Sequence, residues 1–126
     1  RGQGWASAFL REAFADFRAR EEFLMLEVED PDFGENREER LRRSAFYRKN
    51  GALDFSGVRY LLPPLQGHQT TEMRLMIAPN YPTDTIDAAL VRHIVTGLYH
   101  DLYGRPAGDS LLQSFLSEIR EPVHLR

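Results

Sequence analysis

Apolar residues recur every four positions at the start of the chain, where Trp5, Phe9, Ala13 and Phe17 alternate with Arg11, Glu12, Asp16 and Arg18. That spacing predicts an amphipathic helix. The next segment, Glu22 to Glu29 (EFLMLEVE), is a short apolar run that alternates at its end and is closed by Asp30-Pro31, so it reads as a largely buried strand. After a loop, DPDFGEN, the charged stretch REERLRRSAFYRKN predicts a second helix with Leu41, Ala45 and Phe46 inward and Asn50-Gly51 as its C-terminal cap. Ala52 to Leu62 returns to a strand pattern, with a bulge or bend expected at Ser56-Gly57 and an end at Pro63-Pro64. Thr71 to Ala78 (TEMRLMIA) alternates as a further strand, antiparallel to the one before it, and Pro79 and Pro82 close the sheet region. Beyond it, Ile86, Leu90, Ile94, Leu98 and Leu102 step by four along a long helix with Asp84 as N-cap and Gly104 as stop. A last helix from Asp109 carries Leu112, Phe115, Leu116 and Ile119 on one side.

The resulting order is helix, strand, helix, strand, strand, helix, helix, which is that of a mixed α/β or α+β protein with a C-terminal helical hairpin. The division expected from this order puts the sheet in residues 1–82 and a helical extension in 83–126. With 126 residues the chain has the size of one domain, and a content of 42% hydrophobic and 28% charged residues is far from that of a disordered chain. A net charge of -3 gives no strong field for nucleic acid or an anionic membrane. No apolar run approaches the roughly 18 residues of a membrane span. The absence of Cys excludes disulfides, thiolate zinc sites and Cys nucleophiles and fits a cytoplasmic location. His93 and His100 share a helix face, but at a wider spacing than paired metal ligands use, so they read as structural or surface residues and no metal is expected. Arg37, Arg40, Arg42, Arg43 and Arg48 are interleaved with Glu35, Glu38 and Glu39, the pattern of an ion-paired, solvated helix face.

Three places carry candidate chemistry. The opening RGQGWA precedes a helix that has no acidic residue until Glu12, so unpaired backbone N–H groups and the helix dipole would converge there with Arg1, a geometry that holds phosphate. The same glycines also serve simply to open a helix. Tyr47 lies near the end of the second helix, where a phenol can donate a proton to a leaving thiolate, or can merely pack. Glu27 sits between Leu26 and Val28, and a carboxylate among apolar neighbours is a candidate general base. An outward-facing strand position is the alternative, with Glu29 on the same face as a rival.

Taken in order, Arg1-x-x-Gly4-x-Ala6 opening a helix, the strand LEVE, and a helix with AFYRKNGA running into another strand resemble the second half of a GNAT N-acetyltransferase domain. The likeness spans about residues 1 to 78 and implies the GNAT fold in part. It also implies a pyrophosphate of acetyl-CoA held by the backbone of Gln3, Gly4, Trp5 and Ala6 with Arg1. In the same way it implies Tyr47 as the acid for the departing CoA thiolate, Glu27 as the base, and direct transfer to an amine without a metal. Relatives place an Asn seven residues before the tyrosine. Here that position is Arg40, and Asn36 lies earlier, so both are candidates for the CoA contact.

The family domain begins with further strands that shape the acceptor site, and this sequence opens, without Met, at the phosphate turn. The expectation is a C-terminal half, inactive alone, that works with a missing N-terminal half or a complementary chain. The C-terminal helices are left to pack on the sheet or to form a homodimer. A second reading is a non-catalytic GNAT-like module that keeps CoA binding or only the fold. A third, a nucleotide-binding fragment using RGQGWA, lacks the Lys-Ser/Thr of a P-loop.

Overall fold

A computed structural model describes residues 23–29, 36–64, 71–79 and 81–126. These form six strands and three helices: β1 (Leu24–Glu29), α1 (Arg37–Lys49), β2 (Leu53–Ser56), β3 (Tyr60–Leu62), β4 (Thr71–Ala78), β5 (Thr85–Ile86), α2 (Ala88–Tyr103), α3 (Ser110–Leu116) and β6 (Val123–Leu125). Every strand pairing is antiparallel, in the order β1-β4-β2-β6-β5, with β3 also on β4. The class is therefore mixed α+β. The first expected helix, Trp5 to Phe17, lies outside the described residues.

Strand alternation gives the sheet two unlike faces. Leu75 and Ile77 of β4 join Phe55, Tyr60, Val91, Val95, Tyr99, Leu112, Phe115 and Leu125 in the main core under α2 and α3. On the opposite face Val28, Ala52, Met76 and Ala78 form a small cluster, against which Leu24, Leu26 and Tyr47 pack. Helix α1 belongs to this second side.

The expected break at Ser56-Gly57 has a topological purpose. Leu53 and Asp54 pair with Ile77 and Met76 of β4, but Phe55 and Ser56 pair with Leu125 and His124 of β6. A turn closed by the Val58 N–H on the Phe55 carbonyl (3.3 Å), with Gly57 at φ +77°, then returns the chain to β4 as β3. A side chain at Gly57 would be strained at that angle.

The long helix starts later than Asp84 and presents a different stripe. Ile86 lies in β5, and the buried positions of α2 are Ala88, Val91, Val95 and Tyr99, whereas Leu90 and Leu102 are 41% and 57% exposed. Asp87 flanks the first turn without a side-chain cap bond, and Glu121 supplies the acceptor instead, its Oε2 taking the Ala88 N–H at 2.8 Å. Gly104 ends the helix at φ +64°, its N–H bonded to the His100 carbonyl. Helix α3 begins directly after Asp109, close to where the pattern put its start. Asp109 accepts from the Leu112 N–H at 3.1 Å, and that bond, helped by Arg105, holds the carboxyl below its ordinary range.

Among the described residues, those on the two sides of position 82 share one sheet and one main core. Residues after 83 contribute β5 and β6 to the sheet, and α2 and α3 complete the core with Phe55, Tyr60 and Leu75. Strand β6 itself has no counterpart in the sequence pattern, since three residues after a proline are too short to display alternation.

Candidate functional site

Helix α1 opens at Asn36, which adopts the left-handed conformation (φ 62°, ψ 44°) and accepts the Arg40 N–H on its carbonyl at 3.0 Å. Glu38 and Glu39 in the first turn and Arg48 and Lys49 in the last complement the helix dipole. Asn50 closes the helix with its side-chain amide on the Phe46 carbonyl (2.8 Å), and Gly51 follows at φ +99°.

The inward side of α1 differs from the expected Leu41, Ala45 and Phe46. Leu41 and Ala45 are exposed and Phe46 is only half-buried, whereas Ser44 is buried and Arg40 and Tyr47 are half-buried. The helix is thus rotated so that its small and polar residues meet the sheet. Ser44 keeps its hydroxyl without a hydrogen-bond partner among the described residues.

Tyr47 packs against the cluster that holds Val28, Ala52 and Met76, together with Leu24 and Leu26. The strand LEVE and the helix end FYRKNGA therefore meet in space on one face of the sheet. Arg48, next along the helix, reaches the Oδ2 atom of Asp54 on β2, and Arg74 of β4 approaches the same oxygen at 3.8 Å. These ion pairs tie α1 to two strands.

Glu27 points the other way. Its register partner is Leu75, a residue of the main core, and its carboxylate accepts hydrogen bonds from two phenols, Tyr60 and Tyr103, the latter at 2.8 Å. Tyr99 stands edge-on between Tyr103 and Phe115, with ring centroids 5.9 and 5.6 Å away, and donates to the Leu61 carbonyl. Burial first, and then the bond to Glu27, pushes the Tyr60 and Tyr103 hydroxyls well above the ordinary phenol range. Burial and the charge of Asp109 do the same to Tyr99. All three remain protonated donors at any physiological pH, so the network fixes Glu27 as an acceptor.

The structure thus does not bring Glu27 and Tyr47 together: they lie on opposite faces of the sheet. Glu29 pairs with Met73 at the end of β1, and its side chain lies outside the described residues. The turn residues Arg1, Gln3, Gly4, Trp5 and Ala6 also lie outside them. Asn36 is exposed and Arg40 half-buried, one helical turn apart at the start of α1, about three and about two turns before Tyr47. His93 and His100 are exposed on α2, and among the described residues no group of acidic and histidine side chains is arranged to hold a metal ion.

Sequence reasoning missed Tyr60, Tyr99, Tyr103 and the Arg48–Asp54–Arg74 cluster. Two signals were present: tyrosines four apart on α2, and an aspartate between Leu53 and Phe55 in an apolar strand. The chain matches no family model, no curated protein and no solved structure. Among the described residues no helix is long and apolar enough to cross a membrane.

Proposed function

We propose that the chain is part of a GNAT-type N-acetyltransferase that moves an acetyl group from acetyl-CoA to an amine. The observation that carries this reading is the meeting of Tyr47 and Ala52 with Leu24, Leu26 and Val28 in one cluster. Two of the three motifs that suggest the family are neighbours in space as well as in order. The succession of β1, α1, the broken β2–β3 strand and β4, antiparallel to both, also follows the order that the resemblance implies.

In this reading the amine nitrogen attacks the acetyl carbon, the C–S bond breaks, and the thiolate takes a proton from Tyr47 while the amine's surplus proton passes to solvent. Arg1 and the backbone of Gln3 to Ala6 hold the pyrophosphate, and Asn36 and Arg40 lie along the same helix as Tyr47 for the rest of the CoA. Glu27 has no share in the chemistry, because its carboxylate is occupied by two phenols on the far side of the sheet.

That separation of acid and base also favours a second reading, a GNAT-like module that binds CoA without turning it over. The test is acetyl-CoA titration and amine acetylation by the intact protein and its Tyr47→Phe variant. The enzyme reading expects turnover to fall about 100-fold or more with CoA affinity unchanged. Saturable CoA binding with no turnover in the parent protein selects the module, and no CoA binding at all overturns both.

A further inference from the structure

Helix α2 carries in its interior a glycine that, among the described residues, neither backbone conformation nor packing requires. Gly97 lies well inside Ala88–Tyr103, where glycine is less favourable than alanine by about 1 kcal/mol. It does not have the positive φ of Gly57 and Gly104, and a Cβ built on it would meet nothing within 4 Å. A missing side chain of this kind is explained by the close approach of another surface.

The residues around Gly97 form an outward strip. At about 100° per residue, Leu90, Gly97 and Asp101 fall close to one line, turned away from the buried Val91, Val95 and Tyr99, and Ile94 and His93 flank them. Leu90 is 41% exposed, His93 and Asp101 are exposed, and Ile94 is half-buried at the edge of the core. The apolar projections, Leu90 and Ile94, lie before Gly97, and the gap left by Gly104 lies after it.

Such a strip is complementary to itself when turned end for end. Leu90 and Gly104 are each seven residues from Gly97, and His93 and Asp101 are each four residues from it. An antiparallel second copy, related by a two-fold axis through Gly97, therefore sets Leu90 over its Gly104 and His93 against its Asp101, each contact occurring twice. At the axis the two glycines let the helix backbones approach. A parallel pair would set Asp101 against Asp101, so the charges select the antiparallel one. Asp101 uses Oδ1 on the neighbouring His100 at 3.0 Å, which leaves Oδ2 to face the second copy.

We infer that the outward strip of α2 is a self-association surface, on which a second copy of this chain docks its own α2 antiparallel about Gly97. The inference does not rest on acetyl transfer. The contact runs along about 21 Å of helix, the low end of specific interfaces, so the dimer is half-formed at about 10–100 μM.

Sedimentation velocity of the intact protein from about 1 to 500 μM reads this association, and the expected result is a monomer that converts to a dimer across the range. Gly97→Leu, which puts bulk on the axis, is expected to weaken the dimer by about 10-fold or more. Its Tm should be unchanged or higher, since the new side chain has open space and glycine is the poorer helix former. Asp101→Arg is expected to weaken the dimer by about 5-fold, and His93→Glu added to it to recover most of that loss, because the opposed pair is then restored with its signs exchanged. A protein still monomeric at the highest concentration, or a dimer that none of these substitutions weakens, would overturn the inference. So would a lower Tm for Gly97→Leu without loss of association, which gives the strip to another segment of this chain.

Discussion

The two faces of the sheet are built by different means. Under α2 and α3 the packing is a continuous apolar mass in which Tyr60, Tyr99 and Phe115 meet edge-on, and the carboxylate of Glu27 is taken up by phenols. Under α1, among the described residues, four buried ones form a cluster with Tyr47 half-buried against it, Arg48 and Arg74 meet Asp54 beside it, and the buried Ser44 hydroxyl has no hydrogen-bond partner. The first face resembles the interior of any stable domain. The second carries, among the described residues, both Tyr47 and the Arg48–Asp54–Arg74 cluster. Stability and candidate chemistry are therefore divided between the faces.

The contrast is most severely tested by removing bulk from each side. Phe115→Ala is expected to destabilise the protein by about 3–5 kcal/mol in urea unfolding, whereas Leu41→Ala on α1 stays within about 0.5 kcal/mol. Comparable losses would mean that α1 carries a second full core.

A smaller effect is expected from Glu27→Ala, which strands the hydroxyls of Tyr60 and Tyr103 and destabilises by about 1–3 kcal/mol. Adding Tyr60→Phe should restore part of that loss, because the unpaired group is then gone. If Glu27 were instead a catalytic base on an open surface, the single substitution would leave the melt unchanged.

The smallest effect is one of pH. Phenols whose protonated form is favoured in the folded state stabilise it fully below the unfolded-state value, and that stability drains away as pH rises above about 10, by about 1.4 kcal/mol per pH unit for each proton retained. Tyr60→Phe should flatten the alkaline limb of a stability profile measured by urea unfolding at each pH.

Much of the fold could be read from the sequence where the signal is local. The strand expected at 22–29 and found at 24–29, the strand at 71–78, the Asn50-Gly51 cap and the start of the last helix at Asp109 each depend on residues close together in the chain. The stripe on α2 misled because a strict step of four advances about 40° around the helix each time, so four such steps wind off the core face. Ala88, Val91, Val95 and Tyr99 mix steps of three and four and stay on it. The direction of Glu27 was not legible at all, since its partners come from β3 and the end of α2. Nor was the Arg48–Asp54–Arg74 cluster, which is brought together by the register of two strands and a helix.

The divided pairing of β2 has a consequence for how the protein is made. Leu53 and Asp54 have their partner on β4 soon after synthesis, but Phe55 and Ser56 must wait for Leu125 and His124 to leave the ribosome. Until then one side of the central strand is an open edge beside a partly assembled core, the condition in which nascent chains meet chaperones or one another. Breaking the β2–β6 pairing, as with Leu125→Pro, would make that passing state permanent.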